Sequence, residues 1–375
     1  MLVKQSAAIQ PWLFSAMVLA GISTTMVGPL LPGLQARWHI GDSSAGLLFT
    51  ALFLASVATG ALVGPLSLRF GHSALVRSGL VLCSLGVAML AVSPWPHALA
   101  AVAIVGSGLG LTIPAANLGV SGARTVMLVN FAWSVGAVGG PWLLAASPDV
   151  FLWSLSAALA VAGVGRIGRL VPVAVPEADN RAVLSKATAV AALFAFLYVG
   201  VESSLDGWLS SYASRDASTR GLWAALPSIF WTGILSGRFI ASLALMRLVP
   251  TLLLGACLVA ALGGTCLLLV VSQPWAVLVA TTLTGLGLAP VFPLVVARYS
   301  EVTRGEKSAG LIFAAGGLGG ASVPALVGSA SERAGGLGAA MLIPPALIVM
   351  MLILWRNSGT GQREVRGVGD PITPR

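Results

Sequence analysis

The chain has 375 residues, of which 57% are hydrophobic and only 9% are charged, and its mean hydropathy is +0.94. A soluble protein has about a quarter of its residues charged, so this composition excludes a soluble enzyme or binding domain. It predicts an all-α integral membrane protein, because a membrane β-barrel requires a period-2 alternation that the sequence lacks. The net charge of +9 does not predict nucleic-acid binding, since the basic residues lie between the apolar runs.

The apolar runs are separated by charges and by Gly/Pro clusters, and they predict about twelve membrane-spanning helices. A helix needs roughly 20 apolar residues to cross the hydrocarbon core of a bilayer. We expect the spans near 11–36, 44–68, 73–93, 97–122, 125–147, 150–167, 187–213, 220–245, 249–272, 275–298, 307–330 and 335–355.

Lys and Arg predict the orientation of these spans. If the N-terminus is cytoplasmic, 17 of the 21 Lys and Arg residues fall on the cytoplasmic side, and only Arg37, Arg215, Arg220 and Arg333 fall outside. Such a bias is typical of cytoplasmic loops. We therefore predict a multi-pass protein of the plasma (bacterial inner) membrane with both termini in the cytoplasm.

The longest polar connection runs from Arg166 to Lys186 and divides the chain into two halves. The halves repeat each other, because Gly108-x-Gly110 recurs as Gly285-x-Gly287 and Gly60-x-x-x-Gly64 as Gly233-x-x-x-Gly237, with offsets of 177 and 173. Small residues with this spacing let helices approach closely in lipid. We predict a six-helix bundle at 1–167, a cytoplasmic linker at 168–186, a second six-helix bundle at 187–356 and a disordered cytoplasmic tail at 357–375.

Glu202 lies near the middle of the seventh predicted span. A carboxylate at this depth costs at least a few kcal/mol unless it is neutral, paired or facing water, so it indicates a function. Tyr198, Glu202 and Asp206 are four residues apart and share one helix face. We interpret Glu202 as the proton-coupling group and Tyr198 as its partner. Asp206, about 6 Å further along the helix, is expected in a solvated vestibule.

Further polar or aromatic residues lie deep in the predicted spans. An intramembrane amide bonds another helix or faces water, and both alternatives stay open for Asn117 and Asn130. The flat indoles of Trp133 and Trp231 suit the C–H faces of sugars and equally suit drug-like aromatics. The predicted solute-binding residues are Asn117, Asn130, Trp133, Tyr198, Glu202 and Trp231.

The loop after the second span carries Gly64-Pro65-Leu66-Ser67-Leu68-Arg69-Phe70-Gly71-His72, which resembles the Gly-x-x-x-Asp-Arg-x-Gly-Arg signature of the major facilitator superfamily. The matching segment in the second half is Gly233-x-x-x-Gly237-Arg238. The resemblance implies two six-helix bundles around a central site. It also implies a conformational role for Gly64, Arg69, Gly71, Gly237 and Arg238.

Within that superfamily the sequence resembles the fucose/glucose permease-like branch. Three segments carry the similarity: Pro114-Ala-Ala-Asn117, Asn130-Phe-Ala-Trp133-Ser-Val-Gly-Ala137, and Tyr198-Val-Gly-Val-Glu202 with Trp208 and Tyr212. The resemblance implies proton-driven symport of a sugar. The alternative is proton-coupled export of a drug-like or amphiphilic compound, since Gly136-x-x-x-Gly140-Pro141 resembles part of an exporter signature.

The sequence contains no nucleotide-binding loop, metal-ligand cluster or nucleophile constellation. We therefore predict a protein that is not an enzyme and has neither cofactor nor metal. The expected partners are a small-molecule solute, protons (with sodium as the alternative ion) and the lipid bilayer. A monomer is predicted.

Overall fold

A computed structural model describes residues 11–165, 170, 185–303 and 309–357, and contains no strand among them. The predicted tail and most of the predicted linker lie outside these residues. The helices, together with a short 3-10 turn at Arg220–Leu222, are α1 Pro11–Thr25, α2 Val27–Trp38, α3 Asp42–Gly60, α4 Val63–Phe70, α5 His72–Val92, α6 Ala98–Leu118, α7 Ala123–Ala146, α8 Pro148–Val164, α9 Lys186–Arg215, α10 Ala225–Ala244, α11 Pro250–Val270, α12 Pro274–Leu288, α13 Val291–Thr303, α14 Ala309–Arg333, α15 Leu337–Ala340 and α16 Ile343–Asn357.

The protein is a multi-pass membrane protein. In the described part of the chain, nine helical segments are long and apolar enough to cross a membrane, and α1 with α2, bent by 44°, makes a tenth if the pair forms one span. The apolar helix α8 is shorter, with 17 residues. The described residues thus contain nine or ten candidate spans, against the twelve that the sequence predicts.

Four predicted spans are interrupted, and a proline lies three or four residues after each break. Proline has no N–H and its ring collides with the carbonyl of residue i−4, so the helix is broken or bent there. Thr25 ends α1 four residues before Pro29, and Ala61 separates α3 from α4 four residues before Pro65. The other two breaks begin at Ala289 and at Met341, each four residues before a proline, Pro293 and Pro345.

Proline alone does not decide where a helix breaks. Pro32, Pro114, Pro141 and Pro324 all lie inside uninterrupted helices. The single continuous spans predicted at 11–36, 44–68, 275–298 and 335–355 are therefore corrected to helix pairs, whereas the other proline-containing spans remain continuous.

Glycines repeat the same helix contacts in both halves. A Cβ on Gly106 of α6 would meet the backbone of α3, and one on Gly285 of α12 would meet the backbone of α10. In the same way Gly108 packs on α5 and Gly287 on α11. Both pairs are 179 positions apart, so the internal repeat has a register that differs by two from the predicted offset of 177.

Helices α1–α8, here called the first half, meet α9–α16, the second half, along three seams. The helix pairs are α2 with α9, α3 with α14, and α7 with α10. At the end of the bundle where α3 begins, Asp42 bonds Arg215 and Ser331 of the second half, and Glu332 accepts a hydrogen bond from the main-chain N–H of Ser43 at 2.9 Å. We call this group of contacts the Asp42 clamp.

Candidate functional site

Tyr198 and Glu202 form a hydrogen-bonded pair in the middle of α9. The Tyr198 hydroxyl donates to Oε1 of Glu202 at 2.6 Å, one helical turn away. Tyr198 is 2% exposed, whereas Glu202 is partly exposed. Their pairing is the one that the four-residue spacing predicts.

Arg238 of α10 belongs to the same cluster. Its guanidinium interacts with the Tyr198 hydroxyl and acts electrostatically on the Glu202 carboxylate. Nε of Arg238 is buried and has no hydrogen-bond partner within the described part of the chain. From the sequence, Arg238 is expected only in a loop motif, although a second intramembrane charge is itself a signal that Glu202 has a partner.

The environment of Asp206 differs from the predicted one. It is 7% exposed, and its Oδ1 accepts a hydrogen bond of 2.6 Å from Nε1 of Trp231 in α10. The expectation of a solvated vestibule is therefore wrong. The physical reason is that α2 and α10 both pack on this part of α9, with Gly28 of α2 against the main-chain oxygen of Asp206.

The two predicted tryptophans meet at the seam between α7 and α10. The rings of Trp133 and Trp231 are 5.1 Å apart at an interplanar angle of 80°, which is an edge-to-face arrangement. Nε1 of Trp133 is buried and has no hydrogen-bond partner among the described residues. Thus Trp133, Trp231 and Asp206 are connected in one row.

Two phenylalanines that the sequence analysis did not select extend the aromatic surface. Phe292 of α13 stacks on Tyr198 with a centroid distance of 5.7 Å, and Phe313 of α14 packs on Phe292 at 5.6 Å. Phenylalanine is common in membrane helices, so the sequence carried no signal to separate these two from the others.

Asn117 and Asn130 bond each other. Nδ2 of Asn130 donates to Oδ1 of Asn117 at 2.8 Å and also to the carbonyl of Val126. Nδ2 of Asn117 donates to the carbonyl of Ile113. The pair connects α6 to α7, which is the first of the two alternatives, and Asn130 remains exposed.

Of the signature residues, Gly64, Arg69 and Gly71 lie at the end of the bundle opposite the Asp42 clamp, whereas Gly237 and Arg238 lie inside α10. Gly71 has φ +80°, a left-handed conformation that glycine adopts without strain. Arg69 is exposed, with its guanidinium 5.1 Å from the ring centroid of Phe70. Gly64 is open, whereas Gly237 packs against Ala289 at the end of α12.

The glycines that resemble an exporter signature serve helix packing. A Cβ on Gly136 would collide with the backbone of Val18 in α1, and Gly140 lies against Ile22. Helix α7 continues through Pro141. These contacts explain Gly136 and Gly140 without any reference to the direction of transport.

These features define a helical, multi-pass membrane protein with ionisable side chains in the middle of its bundle. Within the described residues, no group of three or more His, Cys, Asp and Glu side chains lies close enough to hold a metal ion. The sequence matches the Major Facilitator Superfamily over residues 13–324. The chain belongs to this family, which confirms the predicted family and indicates a transporter and not an enzyme. No curated protein matches the sequence.

Solved transporters share the fold at low sequence identity. FucP in the outward conformation is 20% identical, with a TM-score of 0.62 over 94% of this chain and 99% of that chain. The nucleoside transporter NupG is 16% identical, with a TM-score of 0.72 over 92% and 97%. A bacterial homolog of the human lysosomal transporter Spinster, inward-facing and unoccupied, is 14% identical, with a TM-score of 0.74 over 97% and 98%.

Proposed function

We propose that the protein is a secondary active transporter that moves a small, sugar-like solute across the bacterial inner membrane by alternating access. The observation that carries this proposal is the Tyr198–Glu202–Arg238 cluster halfway along α9 in a chain of this family. Charged groups at this depth are paired or face water. Since Glu202 is partly exposed, a water-filled cavity next to α9 is the arrangement that accounts for it.

The proposed architecture has twelve spans in two six-helix bundles, at 1–167 and 187–356, with the linker and both termini in the cytoplasm. If each proline-interrupted pair counts as one span, the sixteen helices become twelve. The repeated glycine contacts support two related bundles, as in other transporters with internal repeats. The first bundle then meets the second at the three seams, α2 with α9, α3 with α14 and α7 with α10, and the solute site lies between the bundles near mid-depth.

We further propose that the Asp42 clamp closes the outer end of the protein, so that the cavity opens towards the cytoplasm. Arg69 and Arg77 then lie on the cytoplasmic side, as the charge bias favours.

Protons are the proposed coupling ion, with Tyr198, Glu202 and Asp206 as the coupling group and sodium as the alternative ion. The solute is proposed to contact Asn117, Asn130, Trp133, Tyr198, Glu202 and Trp231. Asn130 is exposed and the Trp133 N–H lacks a partner, so both have hydrogen-bonding capacity to offer. FucP, described as a fucose:proton symporter, and the nucleoside transporter NupG both carry polyhydroxylated solutes, which favours a solute of this class.

Export of an amphiphilic compound is the second candidate. The contacting rings of Tyr198, Phe292 and Phe313 favour export, because these three side chains offer stacking area with few hydrogen-bonding groups. Aromatic rings bind sugars and aromatic cations alike, so the two candidates need a direct test.

A thermal-shift screen of the purified protein against monosaccharides, nucleosides and hydrophobic cations separates them. A ligand at 100 times its Kd stabilises the folded state by about 2.7 kcal/mol. We expect a sugar or nucleoside to stabilise the wild type, Trp133→Ala to lose the effect, and Trp142→Ala to keep it. Trp142 is the matched control because it lies on the same helix and is exposed.

Hits are then tested for uptake into proteoliposomes with and without an imposed pH gradient. Accumulation of a sugar or nucleoside that follows the gradient supports the proposal. Stabilisation by hydrophobic cations alone favours export. The transporter proposal fails if neither class binds and no gradient-driven flux occurs in either direction.

A further inference from the structure

Glu202 and Asp206 are one helical turn apart, but their neighbours come from different parts of the molecule. The groups that act on Glu202 are Tyr198 of α9 and Arg238 of α10, both in the second half. If the two halves rotate against each other as rigid bodies, this environment moves with Glu202 and does not change.

Asp206 instead lies at two seams between the halves. Its main-chain oxygen packs on Gly28 of α2, and its hydrogen-bond donor Trp231 packs edge-to-face on Trp133 of α7. Both α2 and α7 belong to the first half. Rotation of the halves therefore separates Asp206 from α2 and uncouples Trp231 from Trp133.

Transport coupled to an ion requires a site whose affinity for the ion differs between the two conformations. A carboxylate closed off from water is costly to keep charged, and the cost disappears when the site opens to water. The donor from α10 is a neutral indole N–H, and the charged group that acts on Asp206 is Glu202, which has the same sign. Arg238 acts on Tyr198 and Glu202, so the two carboxylates differ in charge compensation as well.

Building on the proposed function, we propose that Asp206 carries the coupling proton and that Glu202, next to Arg238, is a fixed charge facing the solute. When the α2–α9 seam opens to the outside, one Asp206 oxygen takes a proton from water and the carboxylate becomes a carboxylic acid. The acid keeps a carbonyl oxygen that accepts the Trp231 N–H. When the seam closes, as in this structure, Asp206 is shut off from water and the acid keeps its proton, because the charged form is costly there. The partly exposed Glu202, one helical turn away, marks the direction in which the proton leaves towards the cytoplasmic side once water reaches Asp206.

This assignment is tested without any solute by infrared difference spectroscopy of the full-length protein in proteoliposomes, titrated in pH steps. Protonation of a buried carboxyl produces a C=O stretching band that carboxylates lack. We expect a titrating band in the wild type, its loss in Asp206→Asn and its retention in Glu202→Gln. Asparagine keeps the volume of Asp206 and an oxygen that accepts from Trp231.

A second variant keeps the assignment testable if Asp206→Asn does not fold. Trp231→Phe removes the N–H donor but keeps Asp206, so the band should persist at a higher frequency. A band that disappears in Glu202→Gln and persists unshifted in the other two variants assigns the proton to Glu202 and overturns the proposal. The absence of a titrating carboxyl band in the wild type overturns it as well.

These results do not depend on solute transport. If the band behaves as expected but no solute moves along a pH gradient, the proposed function fails while Asp206 remains a proton site. If gradient-driven uptake occurs but the band belongs to Glu202, only the present inference fails.

Discussion

Arg215, the last residue of α9, forms an ion pair with Asp42, the first residue of α3, and so connects the two halves at one end of the bundle. Nη1 of Arg215 donates to Oδ2 of Asp42 at 2.7 Å, and Nη2 donates to Oδ1. The carboxylate also accepts from Gln35 at 2.7 Å and from Ser331 at 2.5 Å. Asp42 is 7% exposed and accepts from four donor atoms, three of which belong to the opposite half, and this geometry underlies its proposed role as a gate contact.

Arg215→Gln should therefore favour the open form of this end. Arg215 is 41% exposed, so we expect a loss of about 1 kcal/mol, which is roughly a fivefold change in the closed-to-open ratio. The readout is labelling of Ser211→Cys, a position 1% exposed, by a membrane-impermeant maleimide in a background without the native cysteines.

The control for this prediction is Arg220→Gln. Arg220 lies at the same end, but its guanidinium bonds the carbonyl of Ser214 and does not join the halves. Equal labelling rates in the Arg215 and Arg220 variants would show that the clamp does not hold the gate.

Trp231→Phe should destabilise the protein more than Trp133→Phe. Both changes keep an aromatic ring, but only Trp231 donates a hydrogen bond, whereas Nε1 of Trp133 has no partner among the described residues. Loss of a donor to a buried carboxylate costs about 1–3 kcal/mol. Equilibrium unfolding in mixed micelles measures the difference, and similar losses in both variants would contradict the role of the Asp206–Trp231 bond.

Much of the architecture follows from the sequence, since apolar length and the Lys/Arg distribution predict a multi-pass helical protein. The four-residue spacing also predicts that Tyr198 and Glu202 meet. Contacts between segments that are distant in the chain cannot be predicted in this way. Neither the row from Asp206 through Trp231 to Trp133 nor the position of Arg238 beside Glu202 follows from periodicity, because each depends on how α10 is rotated about its axis.

The breaks in the helices are an intermediate case. The sequence contains the prolines that cause them, but Pro114 and Pro324 lie in helices that continue. Whether a proline breaks a membrane helix depends on whether neighbouring helices and side chains satisfy the freed carbonyl. These neighbours are known only from the tertiary structure, so the sequence alone predicts continuous spans.

Arg238 and Glu202 should be energetically coupled. Removal of one charge leaves the other desolvated and uncompensated. The losses of stability in Arg238→Gln and Glu202→Gln should therefore add up to more than the loss in the double variant. A coupling energy within about 0.5–3 kcal/mol is expected from a double-mutant cycle in mixed micelles. The exposed Arg247 near the end of the same helix is the control, and a coupling energy of zero between Arg238 and Glu202 would contradict the electrostatic pair.

Gly46→Ala should act on conformation, because Gly46 lies at the seam between the halves. A Cβ there would come within 2.8 Å of Cα of Ala325 in α14. The α3–α14 seam would then have to open by some tenths of an ångström, which favours the open form of the end where α3 begins. Faster labelling of Ser211→Cys is expected. Gly33→Ala, where no atom lies within 4 Å, is the control and should leave the labelling rate unchanged.

Gly106→Ala should act on stability instead, because Gly106 packs within the first half. Its Cβ would lie 2.8 Å from the carbonyl carbon of Leu52 in α3, and a backbone contact of this kind cannot be relieved by a change of rotamer. Forcing extra atoms into a packed interior costs about 1–3 kcal/mol. Gly263→Ala, on α11 with open space around it, should have the opposite sign, because alanine in a helix is favoured over glycine by about 0.5–1 kcal/mol. Unfolding in mixed micelles compares the two variants, and equal stabilities would mean that the close approach of α3 and α6 does not depend on Gly106.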